Sequence, residues 1–240
     1  MLDPKAALVL LSGGQDSTTC LAWALERFES VETIGFEYGQ RHAVEMTCRL
    51  SVREQIGKLK EEWQTRLGRD CVLDASMLSS LTANALTGDR PITTDAEGLP
   101  TTFVPGRNLF FLTLAAVVAR QRNIKHIITG VCETDYSGYP DCRDDTIKAI
   151  QLALNSAMAR QFVVHTPLMW IDKAATFEMA RQLGGRAFID LIMEHTHTCY
   201  QGERRRRHAW GYGCDECPAC ELRRMGYVEW GRRIPNSSSQ

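Results

Sequence analysis

The run Ala6-Ala7-Leu8-Val9-Leu10-Leu11 is apolar throughout and ends abruptly at Ser12-Gly13-Gly14. Residues 18–28 then resume with Leu21, Leu25 and Phe28 at helix-compatible spacing. Such an order reads as strand, glycine turn, helix. The same alternation continues down the chain. Strands are expected at 33–38, 71–73, 124–129 and 162–165, and helices at 42–57, 108–121, 146–159 and 173–183. A long unpatterned loop falls at 82–105 and a polar loop at 132–141. Short apolar strands alternating with helices predict an α/β fold, a parallel sheet with helices on both faces. Ligands of such sheets sit beyond the carboxyl ends of the strands, where loops 12–17, 39–42 and 130–141 would converge.

From about His195 the composition shifts to Cys, Gly, Arg and aromatics. The expected division is a main domain over 1–194, a cysteine-rich subdomain over 195–230 and a flexible tail over 231–240. With 28 basic and 29 acidic side chains in 240 residues, the chain has no global field for gripping nucleic acid. Its longest nearly apolar stretch, 109–119, falls short of the roughly 18 to 20 residues that cross a bilayer. The six-residue apolar run near the start is too short for a secretory signal. The chain therefore reads as cytoplasmic, where an odd count of nine cysteines points to free thiols or metal ligands.

In Ser12-Gly13-Gly14-Gln15-Asp16-Ser17-Thr18, two glycines let successive backbone N–H groups face one concavity, and the following helix adds its positive end. The pattern lacks the lysine and the glycine spacing of a Walker loop. A bare Gly-Gly turn with Asp16 or Ser17 capping the helix is the plainer alternative.

Cys214, Cys217 and Cys220 are separated by two residues each, with Cys199 upstream. Four thiolates suit a closed, structural zinc site. An iron-sulfur centre would want a cysteine at position 224, which is Arg224. His195, His197 and His208 remain possible substitutes for one ligand. The run Arg204-Arg205-Arg206-Arg207 reads as a solvated loop in preference to an RNA contact.

The phosphate-loop string resembles the SGGxDS signature of the PP-loop ATP pyrophosphatases, which release pyrophosphate while transferring AMP. Further strings narrow the resemblance: 36–42 (FEYGQRH), 103–108 (FVPGRN), 130–143 (GVCETDYSGYPDCR) and 166–173 (TPLMWIDK). With the four cysteines they look like the 7-cyano-7-deazaguanine synthase (QueC) family over residues 6–225. The resemblance implies a Rossmann-like, adenine nucleotide alpha hydrolase-like sheet with a C-terminal zinc subdomain. It implies a ligase that uses ATP, magnesium and ammonium to turn 7-carboxy-7-deazaguanine into the nitrile, and it implies a homodimer. ATP would lie along Leu11-Ser12-Gly13-Gly14-Gln15-Asp16-Ser17-Thr18-Thr19-Cys20-Leu21. Asp16, Lys173 and Arg107 would be catalytic, the two cations facing the developing phosphate charge. Glu133, Asp135 or Asp141 would read the guanine-like edge, with Tyr136 or Tyr139 stacking on the ring. Cys199, Cys214, Cys217 and Cys220 would hold zinc. Two alternatives keep the adenylation chemistry: transfer of the activated acyl group to a macromolecular amine, as in a defence system, and tRNA modification.

Overall fold

The computed structural model describes residues 1–39, 44–81, 93, 100–134 and 139–233. Five strands, β1 (Asp3–Leu10), β2 (Ser30–Glu37), β3 (Leu67–Asp74), β4 (Ile124–Ile128) and β5 (Val163–His165), form one sheet in the order β3-β2-β1-β4-β5. Every neighbouring pair is parallel, so the α/β expectation holds. The apolar run lies in β1 at the centre of the sheet, and the strand's period of two divides it between two cores. Ala6 and Leu8 pack with Ile34, Leu112 and Ala115, whereas Ala7, Val9 and Leu11 pack with Leu21, Phe177 and Ile192. With both faces covered, no polar alternation is needed.

One face carries α1 (Gln15–Leu25), α2 (Val44–Ile56), α3 (Glu61–Arg66) and α7 (Lys173–His195). The other carries α4 (Met77–Leu81), α5 (Arg107–Gln121) and α6 (Asp144–Met158). The chain winds outward from β1 to β3 in one direction and from β4 to β5 in the other. The carboxyl ends of β1 and β4 therefore flank the crevice where the winding reverses.

Helix α7 is longer than its sequence pattern predicts. Gly184 and Gly185, the latter at φ +65°, interrupt the helical dihedrals where the pattern stops, but the chain resumes helix to His195 and buries Phe188, Ile189 and Ile192. A second helix, α8 (Pro218–Arg233), has no counterpart among the sequence expectations and covers the first three residues of the segment expected as a tail. It lies against α7: Trp230 stacks on Phe177 with centroids 5.6 Å apart and donates its indole N–H to Glu178, while Arg233 pairs with Asp172. A two-stranded ribbon, β6 (Arg207–His208) and β7 (Gly211–Tyr212), precedes it. Among the described residues, no helix is long and apolar enough to cross a membrane. Residues 40–43, most of 82–99, 135–138 and 234–240 lie outside the described set.

Candidate functional site

A cavity of about 340 Å³ opens at the switch point and is walled by the ends of β1, β2 and β4 together with residues from α1, α5, α7 and α8. The loop after β1 forms one end. Gly13 sits at φ +92°, and a Cβ there would stand 2.6 Å from the Glu45 carbonyl oxygen and 2.7 Å from the Arg49 nitrogen, so both the conformation and the space demand glycine. The loop is wound on two hydroxyls. Ser17 Oγ accepts from the Ser12 N–H and donates to the Gly14 carbonyl, and Ser12 Oγ accepts from the Gly14 N–H. Of the expected ATP stretch, Leu11, Ser12, Gly14, Gln15, Asp16 and Ser17 line the cavity. Thr19 Oγ1 donates back to the Gln15 carbonyl, the Cys20 thiol meets the Thr129 carbonyl at 3.7 Å, and Leu21 is core. The side chains at this end keep unused hydrogen-bonding capacity: Gln15 Nε2, Asp16 Oδ1 and Thr18 Oγ1 are buried without a partner among the described residues.

Lys173, the first residue of α7, reaches across to Asp16 with Nζ 2.6 Å from Oδ2. The loop is also held from behind by a residue the sequence pattern does not flag. The fully buried Arg49 of α2 donates Nε to the Leu11 carbonyl at 2.9 Å and forks onto the Asp70 carboxylate of β3. It passes over Gly35, where any Cβ would collide with its guanidinium. An isolated glycine inside a strand is the signal that could have announced this close approach.

Aromatic side chains make the opposite wall. Phe36 and Phe111 stack with centroids 4.2 Å apart, and Tyr38, Tyr139 and Tyr200 border the same space. Arg107 opens α5 after Gly106 and lies 5.8 Å from the Tyr38 ring centroid and 5.9 Å from that of Tyr139. Burial opposes its charge, but Tyr38, Tyr139, Asp141 and Tyr200 outweigh that and push its pKa up; burial pushes the Tyr38 phenol up to about 12. Arg107 is thus enclosed by tyrosines, whereas Lys173 meets the phosphate loop itself.

The expected base-reading residues separate. Tyr139 lines the cavity, shares a 2.6 Å hydrogen bond with Thr102 Oγ1 and stacks on Phe103. Asp141 is buried; its Oδ2 accepts the Asn108 N–H at 2.9 Å, capping α5, while Oδ1 has no partner among the described residues. Glu133 is exposed and accepts the Asp144 N–H at the start of α6. Neither carboxylate is among the lining residues. Asp135 and Tyr136 lie outside the described residues.

Beyond the phosphate end, the Sγ atoms of Cys199, Cys214, Cys217 and Cys220 are buried and lie within 4.8 Å of one another. A tetrahedral thiolate site with bonds of about 2.3 Å has sulfurs about 3.8 Å apart. Cys214 and Cys220 already stand at 3.9 Å. Backbone N–H groups of Glu216 and Cys217 donate to Cys214 Sγ at 3.4 and 3.3 Å, as they would to a thiolate. This donor set fits a metal ion. The three histidines stand outside the sulfur cluster: His195 bonds Ser51, His197 Nε2 meets the Cys199 carbonyl oxygen, and His208 Nε2 meets that of Gly213. Within the arginine run, Arg204 is tied to the carbonyls of Thr196 and Glu194 and Arg207 to the Glu194 carboxylate, while Arg205 and Arg206 are exposed.

The sulfur segment touches the phosphate loop directly, because the His197 N–H donates to the Gly13 carbonyl at 3.0 Å. Arg223 of α8 also borders the cavity. It donates to the carbonyls of Ile192 and Trp210 and to the hydroxyls of Thr196 and Thr198. Burial pulls its pKa down to about 10, against the pull of Asp16.

Comparison with known proteins places these features in one family. The family described as "Queuosine biosynthesis protein QueC" matches residues 6–231. A 7-cyano-7-deazaguanine synthase of Halorhodospira halophila is 60% identical over 238 residues, covering 99% of this chain and 95% of the relative. The protein of the same name from Methylibium petroleiphilum is 60% identical over 229 residues (95% and 97%), and that from Gluconobacter oxydans is 54% identical over 235 (98% and 97%). Among solved structures, a 4-thiouridine synthetase in complex with RNA and ATP aligns with a TM-score of 0.51 at 15% identity. The match covers 95% of this chain and half of that one, a likeness of fold.

Proposed function

The chain belongs to the QueC family, and on that premise we propose that it is the ATP-dependent ligase that converts 7-carboxy-7-deazaguanine and ammonia to 7-cyano-7-deazaguanine. The observation that carries this reading is that one cavity joins a phosphate loop to an aromatic wall, in a chain about 60% identical to synthases of that name.

A carboxylate carbon is a poor electrophile and hydroxide a poor leaving group. The substrate carboxylate therefore attacks the α phosphorus of ATP and pyrophosphate leaves. Ammonia then displaces AMP to give the amide. The amide oxygen attacks a second ATP, and loss of protons from nitrogen and of AMP from carbon closes the nitrile. Both carboxylate oxygens depart on AMP.

In this reading the amides and hydroxyls of residues 12–18 hold the β and γ phosphates, supported by the N-terminus of α1. Lys173 stabilises charge on the phosphates and is oriented by Asp16. Arg107, expected from sequence at the phosphates, sits among the tyrosines and is better read as meeting the substrate carboxylate, with Tyr139 walling the ring. Neither described carboxylate lines the cavity; Asp141, with its unpartnered buried oxygen and its bond to the cavity-lining Asn108, is the one assigned here to a base edge. Magnesium would supply charge neutralisation for the phosphates, and Asp16, which lines the cavity at the phosphate loop, is a carboxylate that would hold it. Zinc is the ion proposed for the four cysteines, in a structural role. The homodimer implied by family resemblance would cover Leu109, Val117 and Leu152, which α5 and α6 leave exposed. The free thiols suit a reducing, cytoplasmic setting.

Supplying ¹⁸O-carboxylate substrate with ATP, magnesium and ammonium tests the reading. Nitrile with both labels recovered in AMP is expected; amide as the end product, or label released into water, overturns it.

A further inference from the structure

One stripe of α8 is buried. Cys220, Arg223, Gly226 and Trp230 recur at helical spacing. Cys220 belongs to the sulfur cluster, Arg223 borders the cavity, and Gly226 makes room for Lys173, since any Cβ there would collide with the Lys173 side chain. The helix that the sulfurs anchor therefore also backs the lysine at the phosphate end.

Arg223 itself is 1% exposed, and every hydrogen bond it makes among the described residues goes to a neutral oxygen. Arg49, equally buried, forks onto Asp70, whereas among the described residues no carboxylate bonds Arg223. The fold also makes space for it. Gly211, at φ +116°, is where a Cβ would stand 2.7 Å from Nη2. A buried guanidinium without a bonded anion carries a desolvation cost that an arriving anion offsets. Arg223 is among the residues lining the cavity, so an anion bound there is the one placed to reach it.

We propose that Arg223 is part of the polyphosphate site, a cation that joins Lys173 and the N-terminus of α1 in receiving the pyrophosphate half of ATP. It is carried into place by the metal-anchored start of α8. The proposal rests on the reading of the cavity as an ATP site. The sulfur cluster, one helical turn upstream, fixes where this charge stands. The cysteine segment thereby contributes binding as well as shape.

Calorimetry with pyrophosphate and with AMP, separately, on metal-replete Arg223→Gln and Arg223→Lys proteins tests it. Loss of one charge-assisted contact predicts a pyrophosphate Kd raised about tenfold in Arg223→Gln. AMP affinity should stay within about twofold and metal at one per chain, and Arg223→Lys should recover much of the loss by keeping the charge. A packing role alone would shift both ligands together or neither, and either result overturns the proposal. If Arg223→Gln does not fold, a crystal structure of the unaltered protein with pyrophosphate decides. An anion oxygen within about 3.5 Å of the guanidinium, or linked to it by one water, is expected. Pyrophosphate on the loop with no such link overturns the proposal. Failure of the unaltered protein to bind either ligand would instead bring down the ATP reading, and the proposal with it.

Discussion

The phosphate loop and the four-cysteine segment meet at a backbone hydrogen bond, yet they hold their shapes by opposite means. The loop hangs from the central strand of a sheet packed on both faces, with Arg49 bracing it from behind. The cysteine segment has a buried cluster of only the four cysteines and Trp210, edged by a few partly buried neighbours. Hydrophobic burial suffices for the first and cannot suffice for the second. A structural zinc ion contributes roughly 10 to 16 kcal/mol in small sites, comparable to the whole stability of an ordinary domain. Loop geometry is thus set by sterics, whereas segment geometry would be set by coordination under the proposed zinc site.

Perturbations should separate the two regions. Cys217→Ser should have the largest effect: metal content falls, residues of α8 lose hydrogen-exchange protection, and ATP binding is lost with them. Retained metal and protection would refute the dependence on coordination. Gly13→Ala should act the other way round. The left-handed dihedral costs about 1 to 2 kcal/mol, and the backbone clash misplaces the loop. Turnover should drop by about 100-fold or more while metal content and α8 protection stay intact. Next comes Asp70→Asn, which leaves the Arg49 charge without its carboxylate. Asp70 is partly exposed, so chemical denaturation should show a loss of about 2 kcal/mol, below the roughly 3 to 5 of a fully buried pair. Smallest is Arg205→Ala, within about 0.5 kcal/mol. It should also leave tRNA mobility unshifted in a gel assay, and a salt-sensitive shift in the parent protein would reopen the RNA reading of the arginine run.

Legibility in the sequence followed the range of the interactions. The phosphate loop could be read because Ser12, Gly13, Gly14 and Ser17 shape it within six residues. The sulfur site was readable from spacing, since three of its ligands lie within one turn and the start of a helix. Arg49 was not readable: its partners, Leu11 and Asp70, are distant in the chain, and only Gly35 betrays its passage. Helix α8 escaped because its buried stripe is built of Cys, Arg, Gly and Trp, where an aliphatic pattern would normally signal a helix. Gly184-Gly185 looked like the end of α7 because local dihedrals do break there; the packing of Phe188 and Ile192 beyond it carries the helix on. Arg107 could be located at the start of a helix, but its tyrosine surroundings come from three separate segments.

The hydrogen bond from the His197 amide to the Gly13 carbonyl also bears on synthesis. Translation proceeds at about 5 to 20 residues per second, so the glycine turn leaves the ribosome roughly 10 to 40 seconds before the partner that closes it. During that interval the nascent sheet can form its central strands, but it presents an unfinished nucleotide pocket. A loop made early is thus closed late, and a chain stopped before His197 would lack the amide that closes it.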